Sequence, residues 1–232
     1  MGVHDGHRRR MKDRFIKHGL DNFDDLNVLE FLLFFAIARQ DTNILAHRLI
    51  DRFGNLSGVF EASFEELKSV EGIGESAAML LRLVPQTNRR YMMSCEGLSA
   101  VISDTNSAGR YFVPRFMYER DEVVYLATLD SMRRVLSCNE IGRGVVNTAE
   151  VSARKIVELA LNHNATAVIL AHNHVNSVAI PSREDESTTR QIAHALSLIG
   201  VELLDHIIVS GNEFVSMKDS GLLNLRFDAL RP

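Results

Sequence analysis

An α/β (α+β) fold class, with a small all-α part at the N-terminal end and an α/β part after it, is what this sequence predicts. Three observations carry that expectation. Apolar residues recur at helical spacing from Val28 to Phe53, with little period-two alternation. Around residues 92–99 the periodicity is lost in the small, mixed run Met92-Met93-Ser94-Cys95-Glu96-Gly97-Leu98-Ser99, where a domain boundary is expected. Beyond it, short apolar runs alternate with amphipathic segments, the grammar of strands and helices layered together. The expected domains are residues 1–95 and 102–226.

In the first domain, Val28-Leu29-Glu30-Phe31-Leu32-Leu33-Phe34-Phe35 supplies one helical apolar face, and Ile44, Leu45, Leu49, Ile50 and Phe53 supply another. Asp41 or Thr42 can cap the second helix and Gly54 can end it. Ser63, with Glu66 three residues on, forms a capping box for a helix leading to Lys68. Next comes Val70-Glu71-Gly72-Ile73-Gly74-Glu75. Two glycines around one apolar residue allow a tight turn between helices, with Ile73 anchored in the core. The free N–H groups at the following helix start can receive a phosphate, although Glu71 and Glu75 oppose one.

In the second domain, a helix is expected from Thr105 to about Phe112, stopping before Pro114. A buried strand over residues 122–130 follows, then a hairpin partner at 135–140. Residues 152–162 form an amphipathic helix with Ile156, Val157, Leu159, Ala160 and Leu161 around its buried side. The apolar run Ala167-Val168-Ile169-Leu170-Ala171 is a strand ending in His172-Asn173-His174. Ser182 can cap a helix to about Leu198, stopped by Gly200, before a late strand region at 201–209 and a short strand at 213–216. Neither internal repeats nor low-complexity tracts are visible.

A net charge of −4 argues against electrostatic capture of nucleic acid by the chain as a whole. Residues 1–95 are balanced, with 13 basic against 13 acidic side chains, so local patches such as His7–Arg14 remain available there. No apolar run approaches a membrane span, and residues 1–10 lack the apolar core of a secretory signal. A cytoplasmic protein is expected. Two distant cysteines, Cys95 and Cys138, exclude a disulfide framework and a sulfur-ligated zinc site.

The chemistry concentrates in H-x-H-x7-S-x2-D. Alternate residues of an extended segment share a face, so His172 and His174 can address one ion. Asp185 can supply a third ligand, and three protein ligands leave the fourth tetrahedral position open, as in catalytic zinc sites. In a helix's first turn, Asp185 is also favoured by the dipole. Ser182 has the reach to touch whatever the metal polarises. A carboxylate base is wanted beside the bound water. Glu122, at the head of an apolar strand, can lie next to the end of an antiparallel neighbour; Glu119, Glu150, Glu158 and Glu184 compete on spacing alone. His206 is expected to be a hydrogen-bonded core histidine, and His163 and His194 to be surface or interface residues.

With Ala-His-Asn-His at 171–174, Pro-Ser-Arg-Glu-Asp at 181–185 and Leu-Leu-Asp-His-Ile-Ile-Val at 203–209, the chain resembles the bacterial RadC family. The Gly72–Gly74 turn and the basic start fit the family's helix-hairpin-helix-like N-terminal half. The resemblance implies a C-terminal JAB/MPN domain, a mixed β-sheet flanked by helices, carrying the JAMM metal motif. It implies one zinc ion held by His172, His174 and Asp185, Ser182 steadying an oxyanion, and Glu122 moving a proton from water to the leaving nitrogen. The implied activity is hydrolysis of an amide, peptide or isopeptide bond in an unknown protein or peptide substrate. The helix-hairpin-helix likeness implies non-specific contact of Gly72, Ile73 and Gly74 with a DNA backbone. The alternative is a non-enzymatic, DNA-associated accessory protein whose JAB domain is a scaffold, and a homo-oligomer is compatible with either. One departure stands out: many relatives carry Pro-Ser-Gly or Pro-Gly-Gly after the second histidine, where this chain has Val175-Asn176-Ser177. The departure concerns substrate approach, since the ligand types and spacing are kept.

Overall fold

The structure, a computed structural model, describes residues 3–38, 40–96, 100–144, 152–175 and 177–223. The chain divides into two compact units, Met1–Asn88 and Arg89–Pro232.

The first unit is helical: α1 (Val3–His18), α2 (Asp25–Ala36), α3 (Thr42–Phe53), α4 (Leu56–Glu61), α5 (Phe64–Lys68) and the start of α6 (Glu75–Glu96). Asp41 caps α3 by accepting from the Asn43 N–H, and Gly54 ends it. The Ser63–Glu66 capping box is complete, each side chain accepting from the other's backbone N–H. The six-residue α4 was not anticipated; its only local signal is Asn55, which caps it through the Gly58 N–H. Leu29, Leu33, Leu49, Leu67, Ile73 and Leu81 share one core. The turn before α6 requires its first glycine, because Gly72 has φ +91° and a Cβ there would lie 2.5 Å from Leu45 Cδ2. Ile73 is buried beside it, while Gly74 faces open space.

The second unit contains α7 (Thr105–Phe116), β1 (Val123–Leu129), β2 (Val135–Arg143), α8 (Ala153–Asn162), β3 (Ala167–Asn173), α9 (Arg183–Ser197), β4 (Glu202–Ser210) and β5 (Glu213–Ser216). The strands form one mixed sheet in the order β2-β1-β3-β4-β5, with β3 and β4 parallel and the other pairs antiparallel. Helix α9 makes the crossover that a parallel pair needs. One face carries α8 and α9 over Leu126, Val168, Leu170 and Leu203; the other carries α7 over Ala127, Ile169, Leu204 and Ile207. Against that second face Gly109 lets α7 approach so closely that a Cβ would collide with the Phe214 ring.

The expected stop of α7 before Pro114 is incorrect: the helix continues to Phe116. Proline at this position removes one ladder bond, a cost that tertiary packing must offset. Burial of Tyr111, Phe112 and Phe116 carries the helix past it, and Arg115 Nη1 donates back to the Tyr111 carbonyl.

A slip in the β3–β4 ladder bears on the site. Val168 pairs with Leu203 but Ile169 pairs with Asp205, so Leu204 is an extra residue on β4. Such a bulge changes which face later side chains occupy. Leu203 and His206, three residues apart, consequently both point toward α9, an arrangement that strict alternation forbids. The Asp205 carboxylate holds the bulge, accepting from the His206 N–H at 2.7 Å, the Lys218 N–H at 3.1 Å and the Ser216 hydroxyl at 2.5 Å.

Candidate metal centre

His172 shares the face of Val168 and Leu170 on β3, so the strand delivers its ring to the α9 side of the sheet. His174 follows the strand's end, its N–H held by the Val209 carbonyl at 2.8 Å. Its Nδ1 lies 3.0 Å from the Val178 carbonyl oxygen, which can only accept. The proton is therefore on Nδ1, and the Nε2 lone pair is left for the site. Asp185 arrives through the capping box of α9: the Ser182 N–H and hydroxyl donate to Asp185 Oδ2 at 2.8 and 2.7 Å, and the Asp185 N–H donates to Ser182 Oγ at 3.1 Å.

These three side chains meet, and their donor atoms all lie within 4.8 Å of one another. The nearest separations are 3.0 Å between the two Nε2 atoms, 3.3 Å from His172 Nε2 to Asp185 Oδ1, and 3.5 Å from His174 Nε2 to Asp185 Oδ2. Ligands about 2.0–2.1 Å from a tetrahedral zinc stand about 3.3–3.4 Å apart. Two imidazoles and one carboxylate this close together could hold a metal ion, and three protein ligands would leave one position of a tetrahedral ion such as zinc unfilled.

Electrostatics agree with a cation here. Burial pushes His172 down to about 4, so it offers a neutral nitrogen. His174 is raised, first by its bond to Asp185, with burial opposing. Burial by itself would raise Asp185, but His174, His172 and Ser182 together hold it well below the ordinary carboxylate range. Two lone pairs and a carboxylate converging in a largely buried pocket repel one another unless a proton or a metal lies between them.

Glu122 precedes β1, which runs antiparallel to β3 with Val124 opposite His172. Its carboxyl is raised, first by burial, with the Asp185 charge adding to the shift and His174 opposing it. The competing glutamates stand elsewhere. Glu119 is taken by Arg89 at 2.8 Å and Arg143 at 2.7 Å, Glu158 pairs with Arg154 at 2.9 Å, and Glu184 is exposed on α9. Glu150 lies outside the described residues.

Asn173 and Thr189 escaped the reading of the sequence, and His206 was read without its partner. Asn173, between the histidines, faces away from the metal ligands and grips the chain on both sides of Glu122. Its Oδ1 accepts from the Val123 N–H at 2.7 Å, and its Nδ2 donates to the Asp121 carbonyl at 3.0 Å. His206 is a hydrogen-bonded core histidine as expected, but its partner is His172, with Nε2 2.8 Å from His172 Nδ1. Thr189, one turn along α9 from Asp185, bonds to the other side of His206. His163 is half-buried, 3.1 Å from the Thr128 hydroxyl, and His194 is exposed. The Gly72-Ile73-Gly74 turn belongs to the first unit and takes no part in this cluster.

A mixed sheet between α7 and the α8–α9 pair, with a histidine–carboxylate cluster at one strand's end, defines a JAB-type domain, and residues 102–222 match the family model described as the RadC-like JAB domain. A UPF0758 protein of Fusobacterium nucleatum is 32% identical over 227 residues, covering 94% of this chain and 97% of that one. A UPF0758 protein of Nitrosococcus oceani is 34% identical over 214 residues, covering 92% and 96%, and one of Methylibium petroleiphilum is 36% identical over the same length and shares. The chain belongs to the RadC family. The relatives' names specify no activity. Among the described residues, no helix is long and apolar enough to cross a membrane.

Proposed function

We propose that the chain is a zinc-dependent hydrolase of amide, peptide or isopeptide bonds, with one zinc per chain held by His172, His174 and Asp185. The observation that supports this reading is the convergence of two imidazole Nε2 atoms, 3.0 Å apart, on the Asp185 carboxylate, whose Oδ1 and Oδ2 lie 3.3 and 3.5 Å from them, a donor set and spacing suited to zinc with one open position. When bound, such a metal acidifies water and polarises a carbonyl. The chain's own residues supply the rest. Glu122, its carboxyl raised first by burial, is suited to take a proton from water and return it to the leaving nitrogen. Asn173 holds the backbone that carries Glu122. Ser182 buttresses Asp185, to which its hydroxyl donates at 2.7 Å; that hydrogen would have to turn from Asp185 to serve a developing oxyanion. The imidazole-rich set disfavours a metal-dependent nuclease, which needs more carboxylates around a harder ion.

The test is zinc stoichiometry of protein purified without chelators or a metal-binding tag, beside the His172→Ala, His174→Ala double variant. Near one zinc per chain, lost in the variant, is expected. No zinc in the wild type after reconstitution would end the hydrolase reading. Zinc binding followed by cleavage of peptide and isopeptide libraries, abolished in Glu122→Gln, completes the case.

A further inference from the structure

A chain of hydrogen bonds runs from the metal-facing ring of His172 into the core: His172 Nδ1 to His206 Nε2 at 2.8 Å, His206 Nδ1 to Thr189 Oγ1 at 2.6 Å, and Thr189 Oγ1 to the Asp185 carbonyl at 2.5 Å. Its direction is decided at the far end. A carbonyl oxygen has no proton, so Thr189 must donate to it. Its hydroxyl hydrogen is then spent, and Thr189 can only accept from His206 Nδ1–H. Met217 Sδ, at 3.6 Å from the same hydroxyl, is too distant and weak an acceptor to reverse this. His206 is fully buried and its two ring nitrogens are taken by His172 and Thr189, neither of them an anion; a buried imidazolium without a counter-charge is costly, so with the proton on Nδ1 its Nε2 carries the lone pair and accepts. His172 must therefore donate from Nδ1, which leaves the Nε2 lone pair aimed at His174 and Asp185.

We propose that His206 and Thr189 are positioning residues that lock His172 in its Nδ1–H tautomer and present Nε2 to the metal, an inference that rests on the metal-binding reading above. The lock closes on itself. Thr189 is anchored to the backbone of Asp185, so the same turn of α9 provides one ligand through its side chain and orients another through its main chain. Metal-ligating histidines usually donate their second nitrogen to a carboxylate or a carbonyl. Here a neutral imidazole takes that place, and the ligand is left uncharged. The bulge at Leu204 absorbs the one residue that would otherwise carry His206 to the α7 side.

The first measurement is the tautomeric state of the histidine rings in metal-free protein, from long-range 1H–15N correlation spectra above neutral pH. Nδ1–H signals for His172 and His206 are expected, whereas an Nε2–H tautomer at His172 in the wild type overturns the proposal. The second is zinc affinity by competition with a chromophoric chelator, together with the cobalt absorption spectrum, for wild type, Thr189→Ser, Thr189→Val and His206→Leu. Thr189→Ser should match wild type. The other two should lose about 10- to 100-fold in affinity and show an altered cobalt spectrum. Affinities within about twofold of wild type in folded Thr189→Val and His206→Leu also overturn it. Circular dichroism melts establish folding, and if His206→Leu does not fold, the Thr189 pair decides. A wild type that binds no zinc defeats the hydrolase reading instead, while the tautomer spectra still decide this proposal.

Discussion

Asn173 grips the chain on both sides of Glu122, accepting the N–H of Val123 at 2.7 Å and donating to the carbonyl of Asp121 at 3.0 Å. The residue between the two clustered histidines thus fixes the proposed base from the opposite face of the sheet. Asn173→Ala leaves the buried Val123 N–H without its acceptor and should lower stability by about 2–3 kcal/mol. Urea denaturation of the metal-free protein measures this. A loss below about 0.5 kcal/mol would show that the clamp holds nothing.

Glu122→Gln keeps the size of the side chain but removes its capacity to accept a proton. Zinc content should remain at the wild-type level, while amide hydrolysis falls by about 10²- to 10⁴-fold. Parallel metal analysis and single-turnover cleavage separate the two effects. Loss of zinc in this variant would instead make Glu122 a ligand.

The proposed zinc site exists only in the folded chain, so zinc bound there should raise thermal stability. At free zinc about 100 times the dissociation constant, the gain should be about 2.7 kcal/mol, and a chelator should reverse it. His174→Ala should show no such gain in calorimetry at equal zinc.

Glu119 provides a pH dependence away from the centre. Burial would raise its carboxyl, but the hydrogen bond from Arg143 and the charge of Arg89 outweigh burial and hold it below its ordinary value of 4.5. A group depressed on folding contributes stability above its unfolded value, and loses it as pH falls through its folded value. Glu119→Gln should therefore cost about 1 kcal/mol at neutral pH, discounted for the half-exposed Arg143. The deficit should shrink below pH 4.5 as wild-type Glu119 is protonated, which paired melting curves across that range will show.

Gly72→Ala places a methyl group against Leu45 on a backbone at φ +91°. A loss of about 1–3 kcal/mol is expected in thermal unfolding. Gly74→Ala, with open space at its Cβ, should cost less.

Much of this molecule was legible from periodicity and spacing. The strands ending at Leu129 and Asn173, the capped helices α3, α8 and α9, and the meeting of His172, His174 and Asp185 were all expected from local pattern, because each signal spans a few residues. What escaped depends on distant partners. Asn173 meets residues about fifty positions earlier, which requires the β1–β3 register. His206 meets His172 only after the slip in β4, which alternation cannot foretell. The extra turn of α7 beyond Pro114 is an effect of packing that overrode a local rule.

Facing along a strand is arithmetic modulo two, and β4 carries one surplus residue in that count. On the sheet, Leu203, Asp205 and His206 already fall in the order a regular strand would give, with Leu204 as the remainder. Excising Leu204 would therefore leave His206 beneath His172 and remove only one side chain from the α7 face. Excising Ile207 would exchange the faces of Ile208 and Val209 and invert the strand's end beside the metal ligands. Length is thus free to vary at one point of β4 and constrained beyond it, so that single-residue deletions should divide sharply by position where single substitutions grade smoothly.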